Sequence, residues 1–563
     1  MMELHVASAW TLTAAPRPPV PSFRCRRTHP PPSSSSPAGR LPCMCVGPPS
    51  PSSANMAPAF HPTIFGDFFI KHNQPLQTSE YEWMEERADE LVTEVCRMFE
   101  ACKDDVVAQM NLVDVLQRLG VDHRFQGEIN TALTKIHRAE LNDTSSSSLH
   151  EVALRFRLLR QQGFWVSPAH LLSHNEEALE EAILYARHQL ELLRGSLKYP
   201  LAEQVTRALQ IPLPRTLKRA EALSFMHEYG TQEQTTFNTS LLELAKLDFN
   251  ILQKFHQKEL KDICRWWEDV SSDISLDYVR ERVVECYFCA YAVYYEKEHT
   301  RARMMLAKRM MLLSLMDDTY DVHATLEEAR NFNQALQSWD KSAVSLLPED
   351  LKRFFLSILR NFSEFEDEFE SHEKYRNAYN IKAFQLSSSN YLQEAEWFHE
   401  KYVPSFSEHL SVSLMTGGGI EYPVGIIVGM GDVATKEALD WALACPNAGR
   451  AFAEVARFRD NLAVSQDGRD KMDVASTVEC YMKEHGVTSE VATAEISAMV
   501  EDAWKTLNQA RFDDGRAFLP LVQRIINLAM CIALLFYGNR DGYTNSRELK
   551  DMFEAHFVNP IPL

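Results

Sequence analysis

Residues Met310–Asp321 read MMLLSLMDDTYD. Met310–Met316 is apolar except for Ser314, and it runs directly into Asp317, Asp318 and Asp321. A helix that is apolar on every side belongs in a core. The stretch therefore predicts a buried helix whose carboxylates emerge at one end, at the mouth of a cavity. Asp317 and Asp321 stand four apart and share a face. Carboxylates held that close repel one another unless a cation lies between them. Magnesium takes oxygen ligands and keeps waters and substrate phosphates in its shell. The competing reading is a helix C-terminus that ends in solvated acids, and acids there oppose the macrodipole.

Upstream, YVRERVVECYF carries Arg280 and Arg282. Guanidinium groups suit phosphate oxygens because they are planar, permanently charged and bidentate. Aliphatic and aromatic residues follow at once, so the pair borders a core. The alternative is an ordinary surface ion-pair network with Glu281 and Glu285.

Outward from these segments the pattern is helical nearly everywhere after residue 80. Leu112, Val113, Leu116 and Leu119 share one face, with Gly120 placed to end the helix. Asp432 is expected to cap a helix through Ala438, Leu439 and Trp441. Pro200, Pro212, Pro214, Pro348, Gly417–Gly419 and Gly429–Gly431 mark short loops. The prediction is an all-α chain of two helical domains joined near residues 240–270.

The chain has 563 residues and a net charge of -20, so no nucleic-acid partner is expected. Its 11 cysteines show no zinc spacing and read as reduced thiols. The longest apolar run, Ile525–Tyr537, contains Asn527 and suits a buried helix better than a membrane span. Residues 1–55 hold 12 of the 26 prolines, five arginines and a single acid, Glu3. Such a segment is expected to be disordered. It reads either as a transit peptide, which gives a plastid location, or as an extension upstream of initiation at Met56, which gives a cytoplasmic one.

Together these pieces resemble plant terpene synthases, most closely the sesquiterpene synthases. The resemblance runs through FHPTIFGDFF (Phe60–Phe69), LQRLGVDHRF (Leu116–Phe125), RWWEDV (Arg265–Val270), RERVVECYF (Arg280–Phe288), DDTYD (Asp317–Asp321), GMGDVATKEALDW (Gly429–Trp441), VECYMKEHGV (Val478–Val487) and DGYT (Asp541–Thr544). It implies an N-terminal α-barrel domain at 56–246 and a C-terminal class I terpenoid synthase domain at 247–563. It also implies a monomer that acts on a prenyl diphosphate with Mg2+, or Mn2+ in its place. By the same resemblance Asp317 and Asp321 are metal ligands, Asp318 supports them, and Asp460 opens a second metal motif. Arg280, Arg282 and Arg457 receive diphosphate. Trp266, Cys289, Phe536, Asp541 and Tyr543 belong to the pocket and its lid. No DxDD motif is present, so protonation-initiated cyclisation is not expected.

The sequence departs from the family at the second motif, RFRDNLAVSQDGRD. There Val464 replaces a Ser or Thr, Gly468 replaces a Glu, and Asn461 replaces an Asp. Ser465 and Asp467 are each one residue off, about 100° round the axis. A register shifted to Asn461 and Ser465 would end on Arg469. Cys289 stands at a common pocket tryptophan, and Phe65 replaces another Trp. Three readings follow: a farnesyl diphosphate cyclase (or a geranyl diphosphate enzyme, if plastidic), an impaired paralogue, and a non-enzymatic helical interaction protein.

Overall fold

The computed structural model describes residues 63–71, 78–138, 148–164, 176–231, 238–274, 278–467 and 475–563, and of residues 178, 464–467 and 514–515 the backbone alone. Residues 56–563 form one compact unit. The leader expected at 1–55, Phe60–Pro62 and Gly468 lie outside the described residues. Among the described residues every regular element is helical and no strand occurs.

The apolar periodicity of the N-terminal part produces the expected packing. The helix Val106–Arg118 starts where the Asp105 side chain accepts from the Ala108 N–H at 2.9 Å. It buries Val113 and Leu116 and ends at Leu119. Gly120 follows with φ +74°, and a Cβ there would lie 2.9 Å from the Ala222 Cβ, so the left-handed turn and the close approach both require glycine. The cap expected from Asp432 falls instead to Thr435, which accepts from the Ala438 N–H at 3.2 Å. The short turn Gly431–Val433 takes Asp432 out of reach of the helix start.

The window 240–270, where the sequence places the junction, is one continuous helix of 36 residues, Thr239–Ile274. Its buried side chains change core part-way along. Leu241–Ile251 pack into an N-terminal cluster that begins at Met84. Leu252–Ile274 pack into a larger cluster that extends to Phe557. Just before the change lies Asp248, fully buried against His123 (3.2 Å), Arg124 (2.7 Å) and Arg219 (3.2 Å). Burial pushes this carboxyl up, but the three cations outweigh it and hold it far below the usual carboxylate range. Removing one partner would strand a buried charge, a loss of about 3–5 kcal/mol.

The helix Leu519–Leu535 contains most of the apolar run noted above, and it is buried. No described helix is long and apolar enough to cross a membrane. The described cysteines are free thiols.

Candidate active site

The helix Thr300–Asp318 buries every residue of Met310–Met316 except Ser314, as the apolar run predicts, while Arg301, Met304 and Lys308 near its start are partly exposed. Each leucine or methionine buried along it contributes about 2 kcal/mol. Beyond Asp318 the chain winds as a π-turn, Thr319–His323, a feature the sequence reading did not include. Asp317 and Asp321 look into a cavity of about 670 Å³, and Asp318 does not. Asp318 is buried and clamped by Arg280, whose backbone N–H donates to it at 2.7 Å and whose Nε lies 2.9 Å away. Burial pushes the Asp318 carboxyl up to about 6, with Arg280 pulling the other way and Asp317 adding to the rise. Arg280 also pairs with Asp317. Burial disfavours its charge, but Asp318 and Asp317 outweigh that and hold the guanidinium well above its ordinary value.

The two arginines differ in placement. Arg280 lines the cavity. Arg282 lies behind it, buried, with Nε on the Tyr543 carbonyl (3.1 Å) and Nη2 on the Thr544 carbonyl (2.6 Å). It thus ties the Asp541–Thr544 turn to the start of the helix Val283–Val293. Asp541, expected near the pocket, shapes that turn by accepting from the Tyr543 and Thr544 N–H groups at 3.1 and 2.8 Å, and it lies outside the cavity. Tyr543 does line it, with its hydroxyl 3.3 Å from the Cys286 sulfur. Cys289 and Phe536 line the apolar floor with Met310, Leu313 and Ile532. Trp266, expected in the pocket, is elsewhere. Its face of the long helix meets the helix Glu349–Asp367, and its indole N–H donates to Asn361 at 2.7 Å.

The helix Asn447–Asp467 supplies the opposite side of the mouth. Arg457 and Asp460 both line the cavity, 3.7 Å apart. Burial works against the Arg457 charge, and Glu394, Asp460, Tyr391 and Asp317 together raise its pKa. The Asn461 carboxamide oxygen accepts from the Thr477 N–H at 2.7 Å, at the start of the helix Thr477–His485. That oxygen caps a helix, which counts against a metal register shifted onto Asn461. The Val464 and Ser465 side chains lie outside the described residues.

Glu394, on the helix Arg376–Glu400, also lines the cavity and accepts from the Thr416 hydroxyl at 3.0 Å. Sequence reasoning missed it. The available signal was its place three residues after Tyr391, on a stripe that buries Ser387, Ser388 and Tyr391.

Five carboxylates and one imidazole line the cavity. Glu479 is taken up by the Ser476 N–H at 2.6 Å and His409 by the Thr477 hydroxyl at 2.9 Å, which leaves Asp317, Asp321, Glu394 and Asp460 as the candidate donors, all carboxylate. Such a set fits a hard divalent cation and does not fit a thiolate- or imidazole-seeking one. Among the described residues no three acids, histidines or cysteines gather into a closed metal cage. An arrangement of that kind suits a cation that completes its shell with substrate oxygens and water.

Two family models match the chain: "Terpene synthase, N-terminal domain" over residues 64–171, and "Terpene synthase family, metal binding domain" over residues 268–506. Among curated relatives, tau-cadinol synthase of Zea mays is 55% identical, covering 90% of this chain and 98% of its own length. Alpha-copaene synthase of Zea mays is 51% identical, over 89% and 99%. Among solved structures, limonene synthase superposes with a TM-score of 0.82 at 26% identity, over 89% of this chain and 99% of that one. Isoprene synthase from grey poplar gives 0.79 at 27%, over 91% and 99%. With helices, cavity and carboxylate donors in this order, the chain belongs to the terpene synthase family, and its C-terminal part is the family's metal-binding domain.

Proposed function

We propose that the chain ionises farnesyl diphosphate and converts the resulting cation to a sesquiterpene, with magnesium as the metal. The observation that carries this reading is one cavity with an apolar floor that brings Asp317, Asp321, Glu394 and Asp460 together with the cations Arg280 and Arg457. The two curated relatives named above, tau-cadinol synthase and alpha-copaene synthase, are sesquiterpene synthases and support the C15 substrate.

In this reading Asp317 and Asp321, with Glu394 and Asp460 across the mouth, hold the metal. A divalent cation, when bound, supplies positive charge to the diphosphate oxygens as the C–O bond breaks. Arg280 and Arg457 face the same oxygens and take up the charge that leaves with the electron pair. Asp318 and Arg282 position these groups: Asp318 fixes Arg280, and Arg282 fixes the turn that carries Tyr543. The floor excludes water from the cation, and the faces of Tyr422 and Phe452 lie where they stabilise it. Loss of a proton, or capture of water, ends the reaction. Residues 56–246 form the N-terminal domain and 247–563 the catalytic one, acting as a monomer. Initiation at Met56 gives a cytoplasmic enzyme.

Val464 and Gly468 support a second reading, a paralogue that binds substrate and turns it over slowly. Incubating the purified protein with magnesium and farnesyl, geranyl or geranylgeranyl diphosphate, followed by gas chromatography of the volatiles, separates the two. C15 products from farnesyl diphosphate are expected. No product from any of the three substrates, with magnesium-dependent substrate binding retained, would establish the impaired paralogue.

A further inference from the structure

A second cavity, of about 650 Å³, opens between the N-terminal and C-terminal helical parts, and Arg511 is at its wall. Arg511 follows the helix Ser489–Ala510 and is 2% exposed. Four other arginines buried as deeply have a carboxylate against them: Arg303 has Glu259, Arg309 has Glu421, Arg219 has Asp248 and Arg376 has Glu373; Arg282 instead has both ends of its guanidinium on backbone carbonyls. Among the described residues Arg511 has no carboxylate against it. Its hydrogen bonds both use Nη1, to the Gln161 carbonyl at 3.1 Å and to the Gln523 side chain. Nε is buried and finds no acceptor. The Nε–Nη2 edge, the edge a guanidinium offers to an oxyanion in a two-bond pairing, is left without a partner. Burial with no compensating acid lowers the Arg511 pKa to about 10.

Of the four acids in the same cavity three are already matched, and the fourth, Glu298, is exposed to solvent. Asp122 pairs with Lys218 at 2.8 Å, Glu221 with Arg118 at 2.9 Å, and Glu296 with Arg524 at 3.0 Å. Arg516, exposed at the rim, adds a cation whose hydrogen bond goes to the Gln162 carbonyl at 2.9 Å. Arg511 and Arg516 therefore hold consecutive carbonyls at the end of the helix Leu149–Gln161. Capping that helix uses one nitrogen of each, and among the described residues no carboxylate pairs with either. A desolvated cation with a bare bidentate edge is costly unless an anion completes it.

We propose that this cavity is a second anion site, separate from the catalytic one, in which Arg511 binds a small phosphate-class oxyanion bidentately and Arg516 closes over it. Orthophosphate and inorganic diphosphate share this chemistry, and both are small against the cavity. Diphosphate is also what the proposed reaction releases, so its binding here would let product accumulation act on the joint between the two helical parts.

The test is the thermal midpoint of the full-length protein in EDTA, which silences metal-dependent anion capture at the carboxylate mouth. Sodium phosphate or sodium diphosphate is titrated against sodium chloride of equal ionic strength. A saturable rise is expected in the native chain and in Arg280→Met, and none in Arg511→Met. The salt with the lower half-saturation is the ligand of the site. No rise over chloride, a rise kept in Arg511→Met, or a rise lost in Arg280→Met overturns the proposal. Should Arg511→Met fail to fold, Arg516→Gln decides. This substitution at an exposed residue should weaken the anion about fivefold or more, the size of one charge-assisted hydrogen bond, and unchanged half-saturation overturns the site.

Discussion

The two sides of the cavity mouth are both helix ends or faces, and they differ in kind. On the first, a helix whose last apolar run is Met310–Met316 delivers three aspartates within five residues, and the π-turn Thr319–His323 carries Asp321 into the cavity beside Asp317. The cation on this side, Arg280, is held by carboxylates. On the second, the helix Asn447–Asp467 offers Arg457 and Asp460, and the sequence then places Val464 and Gly468 where the family has oxygen ligands. Its cation, Arg457, donates to the neutral Thr416 hydroxyl at 2.8 Å and the Ser413 carbonyl at 3.2 Å, with Asp460 farther off at 3.7 Å. Yet the second helix is as well packed as the first. Phe452, Val455, Phe458 and Leu462 are buried, and Asn461 caps its neighbour. The positions that make a helix pack and the positions that make it bind metal lie on different faces. Ligands on one face are therefore free to disappear while the fold persists.

The largest effect should come from the first side. Asp317→Ala removes a cavity carboxylate and the partner of Arg280. The value of kcat/KM for farnesyl diphosphate should fall by about a thousandfold or more, the scale of losing metal and electrostatic stabilisation of the leaving group. A fall below about tenfold, with the helical circular dichroism unchanged, would break the assignment of the metal to this side. The next largest effect runs in the opposite direction. Val464→Thr combined with Gly468→Glu restores two oxygen donors to the second side. Turnover should rise about tenfold to a hundredfold, with half-maximal activity at lower magnesium. An unchanged rate and an unchanged magnesium midpoint would make that side dispensable and remove the contrast.

The first side was legible because its signal is local. A helix apolar all round must be buried, and acids at its end must then be at a boundary, whatever the rest of the chain does. The all-α class, the turn at Gly120 and the buried Ile525–Leu535 run were readable for the same reason. What escaped depends on distant partners or on helix phase. Arg280 and Arg282 look equivalent in sequence. The helix begins at Val283, however, and the two side chains leave the preceding residues in different directions, one to aspartates and the other to carbonyls of Tyr543 and Thr544. Trp266 lies on the face of the long helix that meets Asn361. Glu394 is one of two glutamates in NYLQEAEWF, and it acquires meaning only when Thr416 and Arg457 arrive from two other helices. Nothing local announces the π-turn, which is a property of how the aspartate helix ends against its neighbours.

The smallest effect sharpens the contrast between the two cations. Thr416 is nearly buried, and its hydroxyl accepts from Arg457 at 2.8 Å while its proton is shared between Glu394 at 3.0 Å and the Ser413 carbonyl at 3.1 Å. Thr416→Val keeps the shape and removes these bonds. Arg457 retains the Ser413 carbonyl at 3.2 Å and the longer contact to Asp460, so it stays in the cavity but is held more loosely. The net value of such a bond is about 1 kcal/mol, which predicts a fall in kcat/KM of about fivefold to tenfold. Loss of the Thr416 bond to Glu394 alone would give a fall of similar size, so the single variant does not decide the matter. In an Arg457→Met background the two accounts separate. If Thr416 acts by holding Arg457, Thr416→Val should there have almost no further effect, and the double-mutant cycle should return a coupling near the whole single-mutant loss. Additive losses would mean that the second side positions its arginine by other contacts, and that the two sides differ only in their acids.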